Sequence, residues 1–440
     1  MRSTIALDEE IIRAIAKPLR SDRDLDAIID AVGEARVVLL GEASHGTSEF
    51  YTMRAAITRR LLTEKGFSFI AVEGDWPACY ELNRFVKGMP GTPERAEEAL
   101  RAFRRWPSWM WANSEIAALA EWLRGFNAGK PERERCGFYG LDVYSLWESL
   151  DEIMGYLERT GSPELEQARE AWNCFSTYRN DVQTYAISAA YLSESCRDEV
   201  VQLLMSLRAR DESPSRERDG DEGRLAAELN ALVAVNAEHY YRTMVMGHAE
   251  SWNVRDRHMM EVLDRLMAFH GEGAKAIVWE HNTHIGDARA TDMAEEGMVN
   301  VGQLARERFG RHDVFALGFG TYEGTVIAGR AWGEPERVME VPPAMRGSWE
   351  HLLHRTGIGD QLLILRDADL SEVNGGEPIG HRAIGVVYNP RFESGNYVPS
   401  VMTERYDAFL HIERTRALTP LHAVREEPAP AAVEETLERE

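Results

Sequence analysis

The chain has 440 residues, with 50 Lys+Arg against 73 Asp+Glu and a formal net charge of −23. A hydrophobic content of 44% and a charged content of 28% are those of a globular chain, which excludes a disordered, collagenous or coiled-coil protein as a whole. The acidic balance argues against a nucleic-acid partner, because neutralising phosphates takes clustered Lys and Arg. No apolar run approaches the ~20 residues of a membrane span. The N-terminal run is broken by Asp8, Glu9, Glu10 and Arg13, as in an amphipathic helix rather than a signal peptide. Cys79, Cys136, Cys174 and Cys196 form no CxxC pair and are too few for a disulfide scaffold. The expected home is a reducing cytoplasm.

Short β-branched or apolar runs predict buried strands at 36–41, 67–73, 135–142, 275–282, 312–320, 324–329, 361–367 and 382–388. Helical patterns at 49–64, 76–86 and 115–126 separate the early ones, the first of them capped by Thr47 or Ser48. From 146 to 270 only helical patterns appear, broken by the charged loop 211–223. The expectation is an α/β fold: a central mixed, largely parallel sheet flanked by helices, with a large helical insertion. Residues 1–145 and 271–420 would form the core, 146–270 the insertion and 421–440 an acidic tail.

In open α/β sheets, ligands bind outside the carboxyl ends of the strands. The first strand is followed by Glu42, Ser44, His45 and Gly46, and then by a helix carrying Arg54. Glu73 ends the second strand, Asp142 the third, and Glu280, His281 and His284 follow the fourth. Any one such acid reads most simply as a helix cap. Four on one rim are a working cluster, since like charges there cost stability and shift pKa values. In NVRDR (253–257), read as the opening of a helix, Arg255 is either solvated with Asp256 or turned toward this rim. Trp106, Trp109 and Trp111 are dense enough to line a cleft, although core packing is their commoner use.

The chain has no GxSxG elbow, no Walker loop, no GxGxxG after the first strand and no HExxH. What is left is His/Glu chemistry. The ordered motifs VVLLGEASHGTSEF, IAVEGDW, NVRDRHM, VWEHNTHIG and YDAFLHIERTRALTPL resemble the erythromycin esterase family over nearly the whole chain. The resemblance implies an α/β core with a large helical part and hydrolysis of an ester or macrolactone. By motif it implies Glu42, His45, Arg54, Glu73, His281 and His284 as functional residues, with Arg255 in a further matching motif.

The expected mechanism is metal-independent hydrolysis without a cofactor. His45 takes a proton from water, and Glu73 and Glu42 orient it. Arg54 and His284 stabilise the oxyanion or protonate the leaving alcohol, and His281 and Arg255 bind substrate. The partner is a small-molecule ester or lactone and the protein a monomer. Two alternatives stand beside this. The same His/Glu types suit Zn²⁺, Mn²⁺ or Fe²⁺ in a metal-dependent hydrolase, and the Trp-rich segment suits a non-catalytic binder of an apolar or macrocyclic ligand.

Overall fold

The computed structural model describes residues 4–178, 182–191, 195–211, 221–245 and 247–422. Eleven strands are present among them: β1 Lys17–Pro18, β2 Val37–Leu40, β3 Phe69–Asp75, β4 Gly137–Asp142, β5 Ala276–Trp279, β6 Val314–Ala328, β7 Arg337–Val341, β8 Gln361–Ile364, β9 Ile379–Arg382, β10 Tyr397–Ser400 and β11 Ala408–Thr415. Nine form one sheet in the order β1-β8-β11-β6-β2-β5-β3-β4, with β7 paired to β6. From β11 to β4 every neighbour is parallel. β8, β1 and β7 add antiparallel pairings at the margins. The fold is the expected mixed, largely parallel sheet flanked by helices.

The strands β2 to β5 are buried on both faces, which is why they read as continuous apolar runs and not as alternation. Alternate residues still divide between two cores. Val37, Leu39, Phe69, Ala71, Ala276 and Val278 pack toward the helices of the 146–270 segment. Val38, Leu40, Ile70, Val72, Ile277 and Trp279 pack toward the helices Ser48–Glu64 and Ser114–Asn127. Between β4 and β5 the described residues are helical: Leu146–Thr160, Leu165–Ser176, Val182–Tyr191, Arg197–Asp211, Asp221–Met244 and His248–His270.

Several sequence expectations change. The two strands at 312–320 and 324–329 are one, β6, which continues through Gly324. There φ is +148°, and a Cβ would sit 2.1 Å from the Thr415 carbonyl oxygen. The run at 382–388 is not a strand. Only isolated bridges of Ile384 and Val387 form there, while β9 precedes it and pairs with β10. NVRDR lies inside the helix His248–His270 and does not open it. Thr47 is the N-cap of Ser48–Glu64 but makes no capping hydrogen bond, because its hydroxyl pairs with Ser44 instead. The cysteine reading also needs correction: Cys174 and Cys196 form a disulfide, with Cα atoms 5.8 Å apart, while Cys79 and Cys136 are buried thiols. The loop 211–223 and the tail 421–440 fall mostly outside the described residues. No described helix is long and apolar enough to cross a membrane.

Candidate active site

Four adjacent parallel strands, in the order β2-β5-β3-β4, bring their carboxyl ends side by side. That adjacency gathers Glu42 and His45, Glu73, Asp142, and Glu280 and His281 from four separate segments of the sequence. The turn after β2 is tight enough to need glycine. A Cβ on Gly41 would lie 2.1 Å from Asn282 Oδ1, and one on Gly46 would lie 1.9 Å from the Ile327 carbonyl oxygen. The turn that carries His45 is thereby wedged between the Asn282 side chain and the Ile327 backbone.

His45 Nδ1 is 2.9 Å from Glu42 Oε1, and Arg54 Nη2 donates to Glu42 Oε2 at 2.6 Å. With Nδ1–H directed at a carboxylate, Nε2 carries the lone pair. It faces Glu73 Oε1 at 3.9 Å. Burial disfavours the imidazolium, but the charges of Glu73 and Glu42 and the Glu42 hydrogen bond outweigh it and raise the His45 pKa above 6.5.

Glu73 is the hub. Its Oε1 accepts from Arg255 Nη2 at 2.7 Å, and its Oε2 accepts from the His281 backbone N–H at 2.8 Å. Burial alone would raise its pKa; electrostatic attraction to His284, His45 and Arg255, with the His281 N–H, lowers it far below the usual carboxylate range. Trp111 Nε1 donates to the Glu73 carbonyl at 3.0 Å and fixes the strand end. Arg255 also grips Asp142 through Nε (2.9 Å) and Nη2 (2.7 Å), a two-pronged contact that only a guanidinium makes.

His284 is oriented from behind. Its Nδ1 lies 2.9 Å from Asp256 Oδ1, its Nε2 lies 3.1 Å from Arg255 Nη1, and its ring stacks on Trp252 at 4.6 Å. Asp256 is fully buried, and burial raises its pKa despite the His284 contact. His281 Nδ1 accepts from the Thr283 N–H at 3.3 Å, which places the ring proton on Nε2. The ring lies 4.9 Å from that of His45. Burial and the nearby His45 charge lower its pKa far below 6.5, so it is neutral. Glu280 is fully buried, and neither carboxyl oxygen has a hydrogen-bond partner among the described residues. Burial, reinforced by the Glu73 and Asp256 charges, raises its pKa well above 4.5.

A cleft of about 360 Å³ opens onto this cluster. His45, Glu73, Asp142 and Arg255 line it. Glu42, Arg54, His281 and His284 do not. Arg54 in particular is fully buried, with Tyr51 and Trp279 rings at 4.4 and 4.5 Å, and reaches Glu42 rather than substrate. The oxyanion role expected of Arg54 and His284 therefore has no geometric support. Arg255, expected only to bind substrate, is the guanidinium beside Glu73. Its guanidinium lies within hydrogen-bond reach of Glu73, Asp142 and His284 together. Among the described residues no set of three His, Cys, Asp or Glu is placed to hold a metal ion.

Asp256, in sequence a solvated neighbour of Arg255, is in the fold the buried partner of His284. Its signal was spacing: Trp252, Arg255 and Asp256 are i, i+3 and i+4 on one helix face. Glu350 and His381 had no signal. His381 Nδ1 pairs with Glu350 at 2.5 Å, and its Nε2 accepts from Asn282 at 3.1 Å, anchoring the HNTH turn from a remote segment. Trp109 is core, as its commoner reading had it, whereas Trp111 serves both the core and the cleft wall.

A family model described as erythromycin esterase matches residues 62–415. The chain belongs to the erythromycin esterase family. The match begins after Glu42, His45 and Arg54, which the geometry joins to the matched residues. An erythromycin esterase type II from Escherichia coli is 23% identical over 339 residues, covering 69% of this chain and 73% of that one. Among solved structures, a succinoglycan biosynthesis protein superposes with a TM-score of 0.77 at 21% identity, covering 95% and 99% of the two chains. A Bacillus cereus protein gives 0.75 at 20%, again over 95% and 99%. An erythromycin esterase mutant in its open conformation gives 0.64 at 17%, over 90% and 95%. These likenesses extend the shared fold over 90–95% of the chain.

Proposed function

We propose that this erythromycin esterase family member hydrolyses a carboxylic ester or lactone with water activated by His45. The observation that carries the reading is the Arg54–Glu42–His45 chain, which fixes the Nδ1–H tautomer and leaves Nε2 facing the cleft beside Glu73. A water held between Nε2 and Glu73 Oε1 loses its proton to Nε2 as its oxygen attacks the carbonyl carbon. The negative charge that develops on the carbonyl oxygen is stabilised by Arg255. The tetrahedral intermediate then expels the alkoxide, which takes the proton back from His45, so one water is consumed and one acid and one alcohol are released. Glu42 and Arg54 are positioning residues for His45. Asp256, Trp252 and His284 position Arg255. His281 walls the back of the site and gives Glu73 its backbone N–H.

The test is a panel of esters and lactones, erythromycin included, read by mass spectrometry for the gain of one water. His45→Ala should lower turnover by about 10²–10⁴-fold, the typical worth of a general base. Full activity in that variant would overturn the assignment. A ligand that binds and returns unchanged in mass would favour the non-catalytic binder instead.

A further inference from the structure

The hydrolytic step leaves one wall of the cleft unused. Trp332, in the connection between β6 and β7, is 64% exposed and lines the same cleft as His45. It is held edge-on against Trp106, with centroids 4.8 Å apart, and against Tyr144 at 6.4 Å. Trp106 Nε1 donates to the Glu334 carbonyl at 3.0 Å, tying the two loops together. Tyr144 in turn has Arg105 and Arg255 guanidinium carbons 5.0 and 4.9 Å from its centroid. The exposed indole is therefore part of a rigid aromatic wall that runs to Arg255. Trp147 lines the cleft as well. An aromatic face fixed in water at a cleft mouth is a stacking surface prepared for a ligand.

The polar groups on this wall divide into free and paired ones. Arg104, Ser108 and Glu148 line the cleft, and their side chains make no hydrogen bond to another described residue. Asp75 is held by Arg105 through two contacts of 2.7 Å, and Asp142 is held by Arg255. The free groups thus comprise a cationic donor, a hydroxyl and a carboxylate acceptor. That combination matches a ligand whose edge carries several hydroxyls and whose face is apolar. The cleft volume of about 360 Å³ is at the small end of the ~300–1,000 Å³ typical of ligand sites. It suits a single six-membered ring and its acyl group better than an enclosed macrocycle.

We propose that the substrate of this site is an acyl ester of a small polyhydroxylated ring, in chemical class a sugar ester. The ring's C–H face stacks on Trp332, and its hydroxyls meet Arg104, Ser108 and Glu148. The claim rests on the hydrolytic reading above and specifies its substrate: the ester C–O bond on the carbonyl side breaks, and the sugar hydroxyl leaves with the proton from His45.

The test compares kcat/KM for methyl 6-O-butanoyl-glucopyranoside and for butyl butanoate, which share one acyl group, in the native protein, Trp332→Ala and Trp332→Phe. The native protein prefers the sugar ester. Trp332→Ala lowers that preference about tenfold through KM, and Trp332→Phe restores most of it. A preference for butyl butanoate, a preference for a macrolactone such as erythromycin, or a ratio that Trp332→Ala leaves unchanged overturns the proposal. If neither these two esters nor any ester or lactone of the panel is cleaved, the hydrolytic reading fails. Calorimetric titration of the sugar ester then decides the ring site alone. Binding that Trp332→Ala abolishes supports it, and no binding to the native protein overturns it.

Discussion

Glu42 carries two jobs that one substitution separates. Glu42→Gln keeps the shape and removes the charge. Arg54 is fully buried, and Glu42 is its one ion-pair partner among the described residues. Removing one partner of a buried pair costs about 3–5 kcal/mol, because the remaining charge stays dry and uncompensated. At ~2.1 cal/mol/K per residue, unfolding entropy for a chain of this length is about 0.9 kcal/mol/K, so Tm falls by about 3–5 °C. The second effect is on His45. Its Nδ1–H loses a charged acceptor and Nε2 loses basicity, so kcat/KM falls by about 10²-fold, the lower bound for losing general-base efficiency. The double variant Glu42→Gln/Arg54→Met removes the stranded charge and recovers much of the Tm but none of the activity. Scanning calorimetry and initial rates on the hydrolysed ester read both. A single variant with native Tm and native kcat/KM would refute the reasoning. So would a double variant that recovers activity together with stability.

The raised His45 pKa makes kcat/KM fall as pH drops through a value above 6.5, since only neutral His45 accepts the water proton. Glu73→Gln removes a charge that favours the imidazolium, so the acid limb of its residual activity moves to lower pH; a limb that stays or rises counts against the coupling. By the same linkage His45 stabilises the fold below pH ~6.5 and loses that contribution as pH rises through its folded pKa. Gly46→Ala, whose Cβ would lie 1.9 Å from the Ile327 carbonyl oxygen, must displace the turn; thermal unfolding shows a loss of about 1–3 kcal/mol, and activity falls with it. With its pKa raised by burial, Glu280 is expected to keep its proton at pH 7: in Glu280→Gln the infrared spectrum loses a protonated-carboxyl band, and a native spectrum without that band would show Glu280 ionised.

The sheet was legible where strands are buried on both sides, because Val37–Leu40, Phe69–Val72 and Ala276–Trp279 have no polar residue to interrupt them. It was obscured where glycines mimic turns. β6 reads in the sequence as two runs parted at 321–323, with Gly320 and Gly324 on either side of the gap; in the fold these two and Gly318 serve packing, and a Cβ would strike Tyr406, Phe409 or Thr415. β11 was visible only through its family motif, and the 382–388 run has strand composition without a strand partner along its length. The candidate site was legible in outline because strand ends announce themselves by an acid or imidazole after an apolar run. What lay behind it was not. Asp256, Glu350 and His381 act on His284 and Asn282 from remote segments, and only tertiary packing brings them there. Arg54 shows the converse: its sequence position promised a catalytic contact, and its burial turns it into a support for Glu42.

The most direct test of the central claim is a single turnover in ¹⁸O-labelled water, with enzyme in excess over an ester that the panel shows to be cleaved, followed by mass spectrometry of both product and intact protein. Direct attack by His45-activated water places ¹⁸O in the product acid on the first turnover, with no acyl group and no label on the protein. An acylated protein, label in a carboxylate of the protein, or an unlabelled product acid would contradict the account.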